Sequence, residues 1–374
     1  MLVIAKNSWF RISKRSNIVR RNKAMIFLNL PSDCITQLLT EWLTLKDLGQ
    51  MHTAVAGSED AGAFVQELTR KECVFNGGDW NSKFTGFYRW VLRYSVNLRR
   101  IHLSSNSLTM IEVQRLVQLQ QDHMQELVVD YVDKDIEEEL THSLSESSSL
   151  KSLHILGMQA SSSVVCVFFK RIANPWKILV ISLCYCSGVT FDVLVCIAEK
   201  CVNVQKLQLD NCPNIEDCCV EDTIGFKELK ELSLMSCPSL GDQTLHFITR
   251  YCSKLTSLEL SYIPITDNGI SLLATSLHNL RQLKVEMDDR ESACTTKGIQ
   301  QLVEVSPRLE VLDLDCDGCY QDVLNAIIKS CPNFHSLILY ERSDTGGLSD
   351  REIKEFTDKT PKLQKCSRYF SLES

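Results

Sequence analysis

An apolar spacing that recurs along the chain constrains the fold more than any other feature of the 374-residue sequence. The motif is apolar-x-x-apolar-x-apolar, and ten copies lie in register. The first residues of the copies are Leu98, Met124, Leu150, Ile178, Val204, Leu229, Leu255, Leu280, Leu309 and Phe334. Successive first residues are 25 to 29 positions apart, so the period is near 26. Self-similarity at such a period is typical of a solenoid built from stacked units.

Each unit combines a short strand with a helix. In LKELSLMSCPSLGDQTLHFITRYCSK (229–254), Leu232 and Leu234 share one side of a strand, and Leu245 and Ile248 are spaced as one helix face requires. In the unit that begins at Ile178 the predicted helical stripe is Leu194, Ile197, Ala198 and Cys201. A single unit leaves its flank open, and stacking closes it. The predicted fold is α/β, with a parallel strand ladder lining a concave face and helices outside.

Cysteines recur at fixed places in this repeat. Cys186, Cys212 and Cys237 lie eight residues after the first apolar position of their units, at the turn that leaves the strand. Cys201, Cys252 and Cys331 lie three residues before the next unit, where they close the helix. We expect all six to be buried as small hydrophobic residues. Adjacent strands are about 4.8 Å apart, so the proximity of Cys212 to Cys237 follows from the repeat and does not imply a disulfide.

The remaining thiols do not predict a metal site. Cys316 and Cys319 have the spacing of a zinc knuckle, but a structural zinc ion requires four ligands and the chain has no matching second knuckle. The 17 cysteines occur in a long chain without a secretory signal, which favours a reducing compartment, the cytoplasm or the nucleus. We predict no cofactor and no metal.

The repeat resembles the cysteine-containing leucine-rich repeats. The resemblance is clearest in ITDNGISLLATSLHNL (265–280) and NCPNIEDCCVED (211–222). It implies a horseshoe-shaped, ribonuclease-inhibitor-like solenoid of about ten units over residues 98–374. A degenerate further unit starts at Leu363, where Cys366 and Arg368 replace the later apolar residues.

A helical module precedes the repeats. The stretch LNLPSDCITQLLTEWLTLKDLGQMHTAVAG (28–57) has helical apolar spacing, and its order of Leu-Pro, an Ile/Leu helix, Trp-Leu and Leu-Lys-Asp-Leu resembles the F-box. In that family the motif binds a Skp-type adaptor and so docks the protein on a cullin ubiquitin ligase. The resemblance implies an adaptor-binding surface made of Leu30, Pro31, Ile35, Leu39, Leu43 and Leu48.

Two interpretations of this module, assigned to residues 28–66, stay open. It either binds the adaptor or only caps the open end of the solenoid, because terminal repeats need a cover. The F-box commonly has a Val followed a few residues later by Trp, whereas Val55 here is followed by Ala-Gly-Ser-Glu. Residues 67–97, rich in aromatic side chains, are predicted to form a helical connector that packs on the first repeat.

The first 27 residues are basic. The initial 24 contain seven Lys or Arg residues and no acid appears before Asp33, so we expect a disordered leader. A mitochondrial presequence, a nuclear-localisation patch and untranslated sequence ahead of a start at Met25 are the three interpretations.

Side chains between the buried leucines are expected on the concave face, because side chains alternate along a strand. Its later units carry acids with interspersed Tyr and Met, which suit an interface with a basic partner. The predicted substrate-binding residues are Tyr262, Glu259, Glu286, Asp313, Asp315 and Tyr340. Met287 is placed on the same face. The acidic run DYVDKDIEEEL (130–140) is interpreted as a solvated helix face.

Composition narrows the function classes. A net charge of −7 and a pI near 5.7 argue against a nucleic-acid binder, and the longest apolar stretch is interrupted by polar residues before it reaches membrane-spanning length. The eight histidines are scattered, and no Gly-rich phosphate loop precedes a helix, so no enzyme activity is predicted. The predicted function is substrate recognition for an SCF-type ubiquitin ligase. The alternative is a non-ligase interaction scaffold whose helices only cap the solenoid.

Overall fold

The computed structural model describes most of the chain from residue 60 onward, which includes the end of the predicted module at 28–66. The described residues are 60–69, 74–76, 85–104, 108–132, 134–217, 226–287, 294–315, 319–341 and 348–370. They fall into two compact units. The first unit runs to Ser152 and includes Arg171–Asn174, and the second comprises Leu153–Lys170 and Pro175–Ser374. This division falls within the repeats, whereas the sequence pattern placed a boundary before residue 98.

The first unit begins with a helix and a short strand. Its elements in chain order are α1 (Asp60–Leu68), β1 (Val74–Asn76), α2 (Thr85–Tyr94), β2 (Asn97–Ser104), α3 (Met110–Gln120), β3 (Glu126–Asp130) and α4 (Lys134–Ser143). Strand β2 pairs in parallel with β1 and with β3. The stretch 67–97, predicted as a helical connector, therefore also contains the strand β1, in which Phe75 is buried.

The second unit repeats a strand and a helix. The strands are β4 (Ser152–Leu156), β5 (Val180–Cys184), β6 (Lys206–Asp210), β7 (Glu231–Met235), β8 (Ser257–Ser261), β9 (Gln282–Glu286), β10 (Val311–Asp315), β11 (Ser336–Glu341) and β12 (Lys365–Phe370). The helices are α5 (Ser162–Arg171), α6 (Phe191–Lys200), α7 (Asp242–Tyr251), α8 (Asp267–Ala274), α9 (Thr296–Glu304), α10 (Tyr320–Ser330) and α11 (Asp350–Lys359). From β5 to β12 each strand pairs in parallel with the next in chain order.

Strand alternation explains where the core lies. The second and fourth positions of each strand point toward the helices, and the register aligns them into rows across the sheet. One row consists of Ile181, Leu207, Leu232, Leu258, Leu283, Leu312 and Leu337. All seven side chains are buried. The predicted solenoid of strands and covering helices is confirmed in the described part of the chain.

The degenerate last unit ends this row with polar side chains. Cys366 pairs with Leu337 and is exposed, and Arg368 pairs with Leu339. The Arg368 guanidinium donates to the backbone oxygen of Leu348 at 2.5 Å and lies 3.3 Å from Asp350 Oδ1. The predicted strand forms, and its residues Cys366 and Arg368 are more polar than the leucines with which they pair.

Aspartates link the helices of neighbouring repeats. Asp242 Oδ1 accepts from the Thr266 backbone N–H at 2.9 Å, and its Oδ2 accepts from the Thr266 hydroxyl at 2.6 Å. Asp267 binds Thr295 in the same way, at 2.7 and 2.8 Å. Thr266 in turn accepts from Asn268 N and so caps the amino terminus of α8. In these two repeats an aspartate therefore positions the start of the following helix.

Glycine makes this close approach possible. A β-carbon at Gly269 would overlap the Asp242 carboxylate, and one at Gly298 would lie 2.5 Å from Asp267 Oδ1. The ITDNG sequence therefore supplies the threonine cap, the linking aspartate and the glycine that makes room for the preceding aspartate.

The recurring cysteines are buried, as predicted. Cys237 Sγ lies 3.3 Å from the Met235 carbonyl oxygen, and burial raises the pKa of Cys237 to about 12. Burial likewise raises the pKa of Cys252 to about 12. A thiol with so high a pKa stays protonated near neutral pH and acts as a packing group. The twelve cysteines that the structure describes are free thiols.

Two buried polar side chains complete the first unit. The Tyr88 hydroxyl donates to the His102 carbonyl at 2.6 Å and accepts from the His102 N–H at 2.8 Å. Gln120 donates to the Val96 carbonyl and accepts from the Leu98 N–H, both at 2.7 Å. Burial raises the pKa of Tyr88 to about 12. These contacts satisfy backbone groups at both ends of β2.

Three expectations about individual residues are wrong. Glu137 is only 2% exposed in α4, so the acidic run is not solvated throughout, because Glu137 lies between the buried Ile136 and Leu140. Met287 is buried, since it follows β9 rather than lying on the open face of that strand. In α6, Val193 and Cys196 are buried with Ile197 and Ala198, whereas Leu194 is only partly buried.

Candidate functional site

The candidate site is the face of the second unit's sheet opposite the helices. We define the ladder surface as the third and fifth residues of strands β5 to β12. Its third-position residues are Ser182, Gln208, Ser233, Glu259, Lys284, Asp313, Ile338 and Ser367, and its fifth-position residues are Cys184, Asp210, Met235, Ser261, Glu286, Asp315, Tyr340 and Tyr369. Strand alternation places these side chains on one face because they alternate with the buried leucines.

Five of the six predicted substrate-binding residues lie on the ladder surface. Glu259, Glu286, Asp313, Asp315 and Tyr340 come from four consecutive strands, β8 to β11. The sixth, Tyr262, follows β8 and is 47% exposed at the edge of the sheet. Their role in binding a substrate stays a prediction.

Lys284 joins two of the acids. Its ammonium Nζ lies 2.9 Å from Glu259 Oε1 and 3.2 Å from Glu286 Oε2, and Ser233 Oγ donates to Glu259 Oε2 at 2.7 Å. Desolvation opposes ionisation of Glu259, but the hydrogen bonds from Lys284 and Ser233 outweigh it and hold the pKa of Glu259 below its usual value. Likewise, the hydrogen bonds from Glu259 and Glu286 outweigh desolvation and raise the pKa of Lys284. This cluster therefore contains one ammonium and two carboxylates, and it carries a net negative charge.

Asp313 differs from these two acids. It is the register partner of Lys284, yet its Oδ1 is buried without a hydrogen-bond partner in the described structure. Burial, followed by repulsion from Glu286 and Glu259, raises the pKa of Asp313 to about 6, although Lys284 and Lys365 act in the opposite direction. Burial of the Asp313 carboxylate is therefore unfavourable, because no hydrogen bond to Oδ1 replaces the bonds that water would make there.

Two tyrosine rings stack on strands β11 and β12 of the ladder surface. The rings of Tyr340 and Tyr369 are 5.3 Å apart between centroids at an interplanar angle of 23°. Tyr340 lies two residues beyond Ile338, the register partner of Asp313. Burial and the nearby carboxylate of Asp313 raise the pKa of Tyr340. Tyr369 is 49% exposed, so the pair presents aromatic surface to solvent.

Sequence reasoning missed two tyrosines. Tyr369 occupies the position of Tyr340 in the degenerate last repeat, six residues after Leu363, and would have been found by extending the register into that unit. Tyr185 lies seven residues after Ile178, as Tyr262 lies seven after Leu255, and it is 46% exposed.

The residues that directly follow β4 to β8 share an unusual backbone conformation. Positive φ occurs at Gly157, Tyr185, Asn211, Ser236 and Tyr262. In each of them the backbone N–H donates to the carbonyl of the last residue of the next strand, at 2.7 to 2.9 Å. The left-handed conformation costs about 1 kcal/mol for a residue other than glycine, and four such residues adopt it here. Met287, after β9, makes the equivalent bond at 3.0 Å without a positive φ.

The predicted adaptor-binding residues belong to another part of the chain. Leu30, Pro31, Ile35, Leu39, Leu43 and Leu48 lie outside the described residues. The basic leader and Cys316, whose spacing from Cys319 resembles a zinc knuckle, also lie outside them. Among the residues that the structure does describe, no cluster of three His, Cys, Asp or Glu side chains is arranged to hold a metal. None of the described helices is long and apolar enough to span a membrane.

The comparisons with known proteins point to one class of relative. No family model matches the chain. It is 27% identical to the F-box protein SKIP1 of Arabidopsis thaliana over 31% of this chain and 44% of that protein. It is 26% identical to the F-box protein SKIP19 of the same plant over 40% of each protein. The chain thus spans less than half the length of these curated relatives.

The solved structures that the chain matches have low sequence identity to it. The chain resembles the yeast complex of Rad7 and Elc1 with 16% sequence identity and a TM-score of 0.47, over 97% of this chain and 90% of that chain. The fold assignment follows from the paired strands, buried leucine rows and covering helices of the chain itself. The second unit is a leucine-rich-repeat solenoid, and the sequence is similar to that of F-box proteins.

Proposed function

We propose that the chain is the substrate-recognition subunit of a cullin-type ubiquitin ligase. In this proposal the F-box-like residues 28–66 bind a Skp-type adaptor, and the ladder surface binds a target protein that carries a basic segment. The observation that carries the proposal is the sequence similarity to F-box proteins in a chain that also contains a leucine-rich-repeat solenoid. The chain contributes binding and positioning, and the enzymes recruited to the cullin contribute the chemistry.

The charge of the ladder surface supports a basic target. Asp210, Glu259, Glu286, Asp313 and Asp315 lie on this surface, with one lysine, Lys284, among its third- and fifth-position residues. Complementary charge speeds association and disfavours acidic partners. The exposed tyrosines supply the aromatic contact area common in protein interfaces.

Calorimetry with a purified Skp-type adaptor tests the proposal on the full chain. We expect saturable binding that is lost in the Leu30→Ala, Pro31→Ala double variant while circular dichroism and the melting temperature stay unchanged. Tyr369→Ala is the matched control, because it alters the ladder surface and should leave adaptor affinity within about twofold.

The opposite result has a clear meaning. A folded chain that does not bind the adaptor would support the non-ligase scaffold. Unfolding of the double variant would instead assign Leu30 and Pro31 to the solenoid cap.

A further inference from the structure

The outer edge of β12 indicates a further partner for this chain. Strand β12 (Lys365–Phe370) pairs with β11 along one side, and no strand that the structure describes lies along its other side. We propose that two copies of the chain associate through this edge, with their β12 strands antiparallel around a twofold axis at Ser367. The association does not depend on the proposed ligase role.

The direction of the backbone groups shows which residues face the outer edge. Lys365 donates its backbone N–H to the His335 carbonyl at 3.1 Å, so its backbone is directed toward β11. In a parallel sheet, successive residues of a strand direct their backbone groups to opposite sides. The backbone of Cys366 is therefore directed to the outer edge, as is that of Arg368. A row of outward N–H and C=O groups is a template for pairing with another strand.

Strand β12 lacks two features that prevent edge strands from pairing. These features are very short length and β-bulges. Strand β1 of the first unit has both, because it contains three residues and its register with β2 shifts between Phe75 and Asn76. Strand β12 contains six residues, and its pairing with β11 runs from Lys365 to Phe370 without a shift. Its edge is therefore long and regular enough to accept a strand.

Charge selects the register of the self-pairing. Opposite residues of an antiparallel pair lie on the same face of the sheet, so the twofold axis must pass through a residue. An axis at Arg368 would place two guanidinium groups opposite each other. An axis at Ser367 instead places Lys365 opposite Tyr369 of the second copy, and Cys366 opposite Arg368. Like charges directly opposite destabilise a strand pair, whereas a cation beside an aromatic ring is favourable.

The axis at Ser367 also suits the outward backbone groups. Cys366 and Arg368 of the second copy become a hydrogen-bonded pair, and such a pair exchanges both of its N–H···O bonds. The exposed side chains of Cys366 and Tyr369, which is 49% exposed, lie on the paired strands. Because the axis is perpendicular to the sheet, the ladder surfaces of both copies lie on the same side of it.

Sedimentation equilibrium of the full chain in reducing buffer tests the association. We expect the mass to rise with concentration from 42.5 kDa toward twice that value. Cys366→Pro should keep the chain monomeric, because proline cannot donate an outward hydrogen bond. Cys366→Ser is the matched control, since it keeps the backbone donor and should associate as the wild type does. Circular dichroism checks that both variants are folded.

Charge variants test the register without altering the backbone. Tyr369→Lys places a lysine opposite Lys365 of the second copy and should weaken the dimer about tenfold, because symmetry repeats the repulsion. Adding Lys365→Glu to this variant should restore the association, since each introduced lysine then faces an acid. Met235→Lys adds the same charge at the fifth position of β7 and should change the dimer affinity less than twofold.

A cross-link tests the position of the axis. In Ser367→Cys the two introduced residues lie opposite each other, about 4.5 Å apart between Cα atoms, which is within disulfide range. Oxidation with copper phenanthroline should therefore cross-link this variant. Tyr369→Cys is the control, because its two thiols would be about 13 Å apart along the strands. Peptide mass spectrometry identifies the linked residues and separates them from the native cysteines.

Three outcomes would overturn the proposal. A chain that stays monomeric at every concentration would leave the edge of β12 to another partner. A dimer that persists in folded Cys366→Pro, or that Tyr369→Lys and Met235→Lys weaken equally, would form through another surface. Cross-linking of Tyr369→Cys as extensive as that of Ser367→Cys would reject the axis at Ser367.

Discussion

The first unit and the middle of the second unit satisfy their polar groups in different ways. Around β2, two individual side chains form hydrogen bonds to the backbone. Gln120 bonds to Val96 and Leu98, and Tyr88 bonds to His102. Between α7 and α9 one arrangement recurs, with an aspartate of one repeat holding the threonine cap of the next. The Gln120 and Tyr88 contacts each occur once, whereas the aspartate–threonine contact occurs in neighbouring repeats. Substitutions in the two regions therefore test how each is stabilised.

The largest effect is expected in the leucine rows of the second unit. Leu232→Ala should reduce the free energy of unfolding by roughly 2–5 kcal/mol, because it removes a buried side chain between Leu207 and Leu258 and leaves a cavity. Chemical denaturation measures the change. Leu272→Ala, at a position 37% exposed, should cost much less; equal costs would contradict the register described here.

Gln120→Leu should produce the next largest loss, about 2–4 kcal/mol. The substitution leaves the Leu98 N–H and the Val96 carbonyl without their partner in a fully buried position. Gln118→Leu on the exposed side of the same helix is the control. Faster hydrogen exchange at the Leu98 amide would locate the effect. A loss no greater than that of the control would show that other groups can replace Gln120.

Asp242→Ala should cost about 1–2 kcal/mol because the Thr266 cap of α8 loses its anchor. Asp267→Ala removes the equivalent contact to Thr295. Thermal unfolding of the two variants should therefore give similar losses. Clearly unequal losses would show that the repeated aspartates are not equivalent, and the contrast with the first unit would weaken.

Asp313→Asn is expected to stabilise the chain by about 1 kcal/mol at neutral pH, a value that allows for solvent screening of a half-buried group. The folded-state pKa of about 6 lies above the ordinary value of 3.8, so the folded chain binds more protons between these two pH values. Wild-type stability from this group therefore falls as pH rises from about 4 to about 6. The advantage of Asn should appear across that window and vanish below it. If Asp313→Asn were less stable than the wild type at neutral pH, burial of the Asp313 charge would not be unfavourable.

The repeated parts of the fold could be predicted from the sequence because the same physical pattern occurs many times. The strand at Leu232, the helix at Leu245 and the buried Cys237 all follow from position within the unit. The hydrogen bonds of Tyr88 and Gln120 occur once and join residues 14 to 24 positions apart, so no periodicity indicates them.

The candidate site was predictable in part. Alternation along the strands placed Glu259, Glu286 and Asp313 on one face. It did not show that Lys284 would bond to the two glutamates and leave Asp313 Oδ1 without a hydrogen bond, because side-chain rotamers decide that pairing. Tyr369 was missed because its unit lacks the apolar residues that mark the register.

The left-handed residue that follows each of β4 to β8 has a consequence for how the surface can vary. One backbone hydrogen bond holds glycine, tyrosine, asparagine and serine in the same conformation at successive repeats. Met287, after β9, makes the equivalent bond to the Asp315 carbonyl without a positive φ, so the bond recurs further along the chain than the left-handed angle does. We expect the side chains at Tyr185 and Tyr262 to be interchangeable, and a library of variants at these sites should change the exposed surface of the solenoid while its backbone stays the same.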